Sequence, residues 1–144
     1  MKHARQKIRE AAAAALTGIA SQVYTSRVYP LVNLPVISVY ANNERSEMEN
    51  DTLNTPRRYS RRLALEVEIV AEAVSDVDNS VDDLAAQVEA AMAADLTIAG
   101  TATDSELQAA QFEFDGGSDI PTVRARLGFE VWYRTTATDP ENAL

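Results

Sequence analysis

Arg61-Arg62-Leu63-Ala64-Leu65-Glu66-Val67-Glu68-Ile69-Val70 is the stretch on which the fold turns. Leu63, Leu65, Val67 and Ile69 share one side of an extended chain. Arg62, Ala64, Glu66, Glu68 and Val70 take the other, because successive strand side chains point to opposite faces. The alternation predicts a strand with one face on helices and the other toward solvent or a partner. The same period returns near the C-terminus. Val123, Ala125, Leu127, Phe129, Val131 and Tyr133 alternate there with Arg124, Arg126, Gly128, Glu130, Trp132 and Arg134. A further strand is expected over residues 106–114, with Ala110, Phe112 and Phe114 opposite Ala109, Gln111 and Glu113. Asp115-Gly116-Gly117-Ser118-Asp119 joins these two strands as a turn, its glycines tolerating positive φ. Upstream, Val36-Ile37-Ser38-Val39-Tyr40 reads as a buried strand reached through Pro35. Arg27-Val28-Tyr29-Pro30 reads as a short extended piece closed by a residue that cannot donate to a central ladder.

Two segments carry the helical period instead. Ile8, Ala12, Leu16, Ile19 and Val23 recur at three- and four-residue spacing, and the alanines at 11–15 favour helix because they lose no side-chain entropy. Gly18 weakens this helix, so its end is expected within residues 18–24. The second helix is expected to start at Asn79 or Ser80 as N-cap, with Asp82 and Asp83 opposing the helix dipole. Val81, Leu84, Val88, Met92 and Leu96 would form its buried stripe. Residues 42–60 are polar and read as a long functional loop, or as a β-hairpin arm. The expected fold is α+β: a two-layer sandwich of two helices on one face of a mostly antiparallel or mixed sheet of four to five strands. Residues 1–134 would form one domain and 135–144 a loose polar tail.

Composition narrows the chemistry. The 144 residues allow one core. With no cysteine and His3 as the sole histidine, thiol nucleophiles, Cys zinc sites, His metal clusters and Ser-His-Asp triads lose their essential part. No catalytic, cofactor or metal site is expected. A net charge of −9 argues against affinity gained by neutralising phosphates. The N-terminal charges lead into a weakly apolar alanine run, so neither a signal peptide nor a membrane span is expected, and the chain is assigned to the cytoplasm.

Residues 115–119 lack the lysine of a phosphate loop and the ligand spacing of an EF-hand, which leaves a turn. Glu66 and Glu68 share an expected exposed face, where neither burial nor proximity would separate their pKa values. Arg124 and Arg126 could offset them across neighbouring strands. Arg57, Arg58, Arg61 and Arg62, interrupted by Tyr59, form the dense basic cluster and suggest contact with an acidic protein surface. Trp132, flanked on its face by Arg124, Arg126 and Arg134, has the residue types enriched at interface centres.

Taken in order, these features resemble the tail terminators of lambda-type long-tailed phages. The similarity lies in Met1-Lys2-His3, Ile8-Arg9-Glu10-Ala11, Val28-Tyr29-Pro30 and Leu34-Pro35-Val36-Ile37-Ser38-Val39-Tyr40. It continues through the acidic loop, Leu63-Ala64-Leu65-Glu66-Val67-Glu68, the acid-started helix and Leu127-Gly128-Phe129-Glu130-Val131. The resemblance implies a virion protein at the tail-neck junction, a hexameric ring that caps the tail tube protein, ends its growth and meets a head-tail connector or stopper. DNA would pass through the ring without specific binding. The arginines within 57–62 and the tail after Arg134 do not map onto that family. Other readings are a different neck role, as connector or tail completion protein, and a small ligand-binding domain.

Overall fold

The structure is a computed structural model, and it describes residues 1–49, 56–117 and 119–144. Along the chain run α1 (Ala4–Ala15), β1 (Gln22–Tyr24), β2 (Val36–Met48), β3 (Arg58–Glu72), α2 (Val77–Ala94), β4 (Asp104–Asp115) and β5 (Thr122–Thr136). The strands form one mixed sheet in the order β1-β2-β3-β5-β4, with β1 parallel to β2 and the other pairs antiparallel. Both helices lie on one face of it, as the α+β sandwich reading requires.

Strand alternation builds that face. Leu63, Leu65, Val67 and Ile69 are at most 1% exposed and sit opposite Val131, Phe129, Leu127 and Ala125 of β5. Ile37 and Val39 extend the row into β2. Ile8, Ala12 and Leu16 of the first helical segment, and Val81, Ala85, Val88 and Met92 of α2, close over these rows in one core. Each fully buried aliphatic side chain contributes about 1.5–3 kcal/mol by leaving water.

Several boundaries differ from the expectations, each for a local reason. His3 Nδ1 accepts from the Arg5 N–H at 3.1 Å and starts α1, which ends at Ala15, before the 18–24 window. Gly18 then takes φ +94°, a left-handed turn that glycine makes without steric cost, and Val23 belongs to β1 rather than to the helix. α2 begins at Val77 behind a left-handed Asp76, not at Asn79 or Ser80, and its first turn carries Asp78. Leu96 falls beyond the helix and is exposed, while Ala85 holds the buried position.

The polar 42–60 stretch is largely strand. Residues 43–48 pair with 59–64, past a bulge between Ala41 and Asn43, and β5 runs alongside as far as Thr136. The hairpin alternative is the one observed, as a three-stranded extension of the sheet; residues 50–55 and Ser118 lie outside the described residues. Residues 27–30 form no strand and belong to an irregular crossing over the open sheet face. The C-terminal residues are tied down rather than loose. Pro140 C=O accepts from the Ala4 N–H at 2.9 Å, and Arg134 C=O accepts from the Leu144 N–H at 2.8 Å.

Candidate assembly surfaces

Glu68 is buried, not exposed as its place in the alternation suggested. It is 4% exposed because residues 25–35 fold across the open face above it. That crossing is fixed by the Ser38 hydroxyl donating to Ser26 C=O, by Arg27 stacked 4.7 Å over the Tyr40 ring, and by Tyr24 and Tyr29 stacked at 5.4 Å. Tyr29 Oη donates to Glu68 Oε1 at 2.9 Å and Tyr40 Oη to Oε2 at 2.6 Å. Arg124 donates to Oε1, and Arg126 Nε to Oε2 at 3.4 Å, so the cross-strand pairing expected for Glu66 and Glu68 forms at Glu68, while Glu66 accepts from the Asn42 amide. Burial works to raise the Glu68 pKa, but hydrogen bonds from Tyr40, Tyr29 and Arg124, with the Arg124 charge, outweigh it and hold the carboxyl below its usual range. Burial and the same carboxylate push both tyrosines up. A carboxylate kept ionised at neutral pH, with four donors on it, clamps strands.

A second carboxylate organises the opposite face. After the β2 bulge Glu44 points to the helix side, where it accepts from Arg5 Nη1 at 2.8 Å, Arg61 Nη1 at 3.2 Å and the Tyr133 hydroxyl. Arg61 also donates to Thr135 Oγ1 at 3.0 Å and lies 5.8 Å from both the Tyr59 and Tyr133 rings.

The basic cluster is therefore divided by the sheet. Tyr59 and Arg61 face the helix side, and Arg58 and Arg62 face the open side, since neighbours in a strand diverge. Arg134 grips Glu49 with Nε and Nη2, at 2.7 Å for the closest contact, and Arg58 lies 3.8 Å from the same carboxylate. Arg124 and Arg126 are committed to Glu68, and Arg126 also to Glu113 at 2.9 Å. Of the nine residues singled out from sequence, Arg57, Arg62 and Trp132 stay available. Arg57 is exposed with no ion-pair partner among the described residues, and Arg62 is half-exposed, 3.7 Å from Glu130. Arg62 stands between Arg45 and Trp132 across three strands. With Ser46, Glu47 and Ser60 they line an open hollow of about 500 Å³.

Sequence reasoning missed the more conspicuous surface. β4 is the outer strand beside β5, and Leu107, Phe112 and Phe114 on its helix-side face are 38%, 60% and 67% exposed. Val74 and Leu96, also exposed, continue this apolar strip. Hollows of about 560 and 360 Å³ lie along it, the first lined by Val74, Val77, Phe112 and Phe114, the second by Met92, Leu96, Leu107 and Phe129. A second exposed apolar group, Val28, Leu31 and Val32, lies in the 25–35 crossing on the open face of the sheet. Gly116 and Gly117 after β4 do not use positive φ; a Cβ at Gly116 would come within 2.9 Å of the Phe114 ring. The available signal was charge. Residues 73–121 hold eleven Asp and Glu and no Lys or Arg, whereas residues 1–35 hold five Lys and Arg against one Glu.

Among the described residues no group of three or more His, Asp and Glu is placed to hold a metal ion, and no helix is long and apolar enough to cross a membrane. No protein-family model matches the chain, and no curated protein matches it. Among solved structures it is similar to a chain of the virion of a native gene transfer agent particle. The identity is 14%, the coverage 92% of each chain and the TM-score 0.42, a likeness too loose to bear on function.

Proposed function

We propose that the chain is a structural subunit of a phage tail neck: a tail terminator that closes into a hexameric ring on the finished tail tube. In this role it stops tube growth and presents a surface to the connector or stopper on the head side. The observation that carries assembly is the exposed apolar strip on β4. A twelve-residue outer strand with two phenylalanines in water is a surface that solitary proteins avoid and subunits bury. The step from assembly to the tail neck rests on the ordered sequence features shared with lambda-type terminators.

In this reading the subunit works by geometry and needs no cofactor. The exposed Arg45, Arg57 and Arg62, with the half-buried Trp132, are the side chains of this group left to contact the tube protein or the connector. Tyr59, Arg61, Arg124, Arg126 and Arg134 act from within by holding strands in place, and Arg58 sits beside the Arg134–Glu49 pair. DNA passes through the ring without specific binding, because an acidic chain repels it. The protein would be found in the host cytoplasm during assembly and at the tail-neck junction of the virion.

Electron microscopy of tails assembled with and without the protein tests the proposal. Overlong tails in its absence are expected. Tails of normal length left unattached to heads would instead assign a connector role, and normal attached tails would overturn a neck role altogether.

A further inference from the structure

β4 ends the sheet, and we infer that its free edge takes up an extended segment of a partner protein in which apolar and basic side chains alternate. The inference rests on reading the β4 strip as an assembly surface, and it names what fills that strip.

The edge itself is the first observation. β4 pairs with β5 on one side, and among the described residues no strand pairs with its other side, so backbone N–H and C=O groups lie open along a twelve-residue strand. An open row of this kind is a template for one more strand. The two faces of β4 are the second observation. Register with β5 puts Leu107, Ala110, Phe112 and Phe114 on the helix side, opposite Phe129, Leu127, Ala125 and Val123. α2 leaves both phenylalanines more than half exposed, and the hollows of about 560 and 360 Å³ beside them have room for further apolar side chains. The same register puts Asp104, Glu106, Glu113 and Asp115 on the open side, where Glu113 alone of the four is in an ion pair among the described residues.

A strand laid along this edge sets its side chains beside those two rows, because cross-strand neighbours share a face. One row calls for apolar partners and the other for bases, which is the alternation inferred. A second β4 fits badly: matching the two apolar rows sets carboxylates beside carboxylates. The other segments of this chain do not supply the pattern either. Arg58, Arg61 and Arg62 of β3, and the arginines of β5, belong to strands paired along both edges. Arg45 of β2 stands between Glu44 and Glu47, residues 27–30 carry one base, and Lys2, Arg5, Lys7 and Arg9 lie in or beside a helix. Charge therefore selects a strand from a different protein.

Three labelled peptides as long as β4 provide the test, with binding read by fluorescence anisotropy. One alternates valine with lysine, one alternates valine with glutamate, and the third is the valine–lysine peptide with every amide N-methylated. The first should bind the wild-type chain, more weakly as salt is raised. The other two should bind at least about tenfold more weakly, one for want of charge complementarity and one for want of edge hydrogen bonds. Phe112→Thr with Phe114→Thr should weaken the first peptide by about tenfold as well. Both side chains are exposed, so the melting curve should be unchanged; Phe114→Thr alone serves if the double variant melts early. No binding of the first peptide, equal binding of all three, or binding that the phenylalanine changes leave intact would overturn the inference. So would a wild-type oligomer that those changes dissolve, which would give the edge to a second copy. None of these outcomes decides the tail-neck reading, which fails separately if tails made without the protein keep normal length.

Discussion

Replacing Glu68 by glutamine should destabilise the fold by about 3 kcal/mol at neutral pH. The amide keeps the size of the carboxylate but not its charge, and it offers two acceptor lone pairs where four donors converge. Removing one partner of a buried ion pair costs about 3–5 kcal/mol, much of it the penalty of leaving the other charge without its counterion. The lower end applies, because the Arg124 and Arg126 side chains keep 21% and 31% of their surface in water while Glu68 keeps 6%. For a domain of this length the loss corresponds to a fall in Tm of about 6–12 °C. Urea unfolding of both proteins across a pH series is the assay. The carboxyl is held below its ordinary value of 4.5 in the folded state, so the ionised form binds its neighbours better than it does in the unfolded chain. The Glu68 contribution is therefore full above about pH 4.5 and is lost as pH falls through the depressed folded value. Wild type and variant should converge in acid, since the other carboxylates titrate in both and cancel from the difference. A neutral-pH difference below about 1 kcal/mol, or a gap that persists unchanged in acid, would refute the clamp.

The remaining predictions concern the core, one turn and the open face. Leu127→Ala, at a side chain 1% exposed in the core, should cost about 2–5 kcal/mol in urea unfolding. Gly18→Ala should cost about 1 kcal/mol although nothing lies within 4 Å of the added methyl, because the penalty comes from holding φ +94° with a Cβ; a neutral result would show that the turn relaxes. Arg45→Glu with Arg62→Glu should change stability by less than about 1 kcal/mol, as Arg62 is half-exposed and its pair with Glu130 is long. The same double change should abolish control of tail length if the open hollow meets the tube, which electron microscopy of assembled tails would reveal.

The central strands were legible because their alternation is continuous and one of their faces is wholly apolar: the helix-side rows Leu63, Leu65, Val67, Ile69 and Val123 to Tyr133 are buried as read. The 43–48 part of β2 was hidden for the converse reason. It extends beyond the helices, so Glu44, Ser46 and Met48 occupy its inner face and no hydrophobic period marks it. β1 is three residues long, and its Val23 happened to fit the helical spacing of the segment before it. Burial of Glu68 depends on Tyr29 and Tyr40 reaching it across a fold-back that no local pattern encodes. The candidate surface fared differently. Arg57 to Arg62 looked like one patch because the residues are adjacent, although period two, already used for Leu63 onward, divides them between the two faces. Phe112 and Phe114 were assigned to a strand face with no sign that the strand lies outside the cover of α2. The run of 61 residues, 63–123, without a Lys or Arg was visible throughout.

The strand order also governs how the chain can fold. β3 sits at the centre of the sheet, yet its partner β5 is synthesised only after α2 and β4. Until then, the hairpin of β2 and β3 presents an unpaired fifteen-residue strand edge, with Leu63, Leu65, Val67 and Ile69 lacking their facing row. Such distant pairing makes for slow folding and for a nascent intermediate that can pair with the wrong strand. The arginines and glutamates that alternate along the same strand keep that waiting edge soluble. Charges that later fasten the sheet would thus first act as gatekeepers during synthesis.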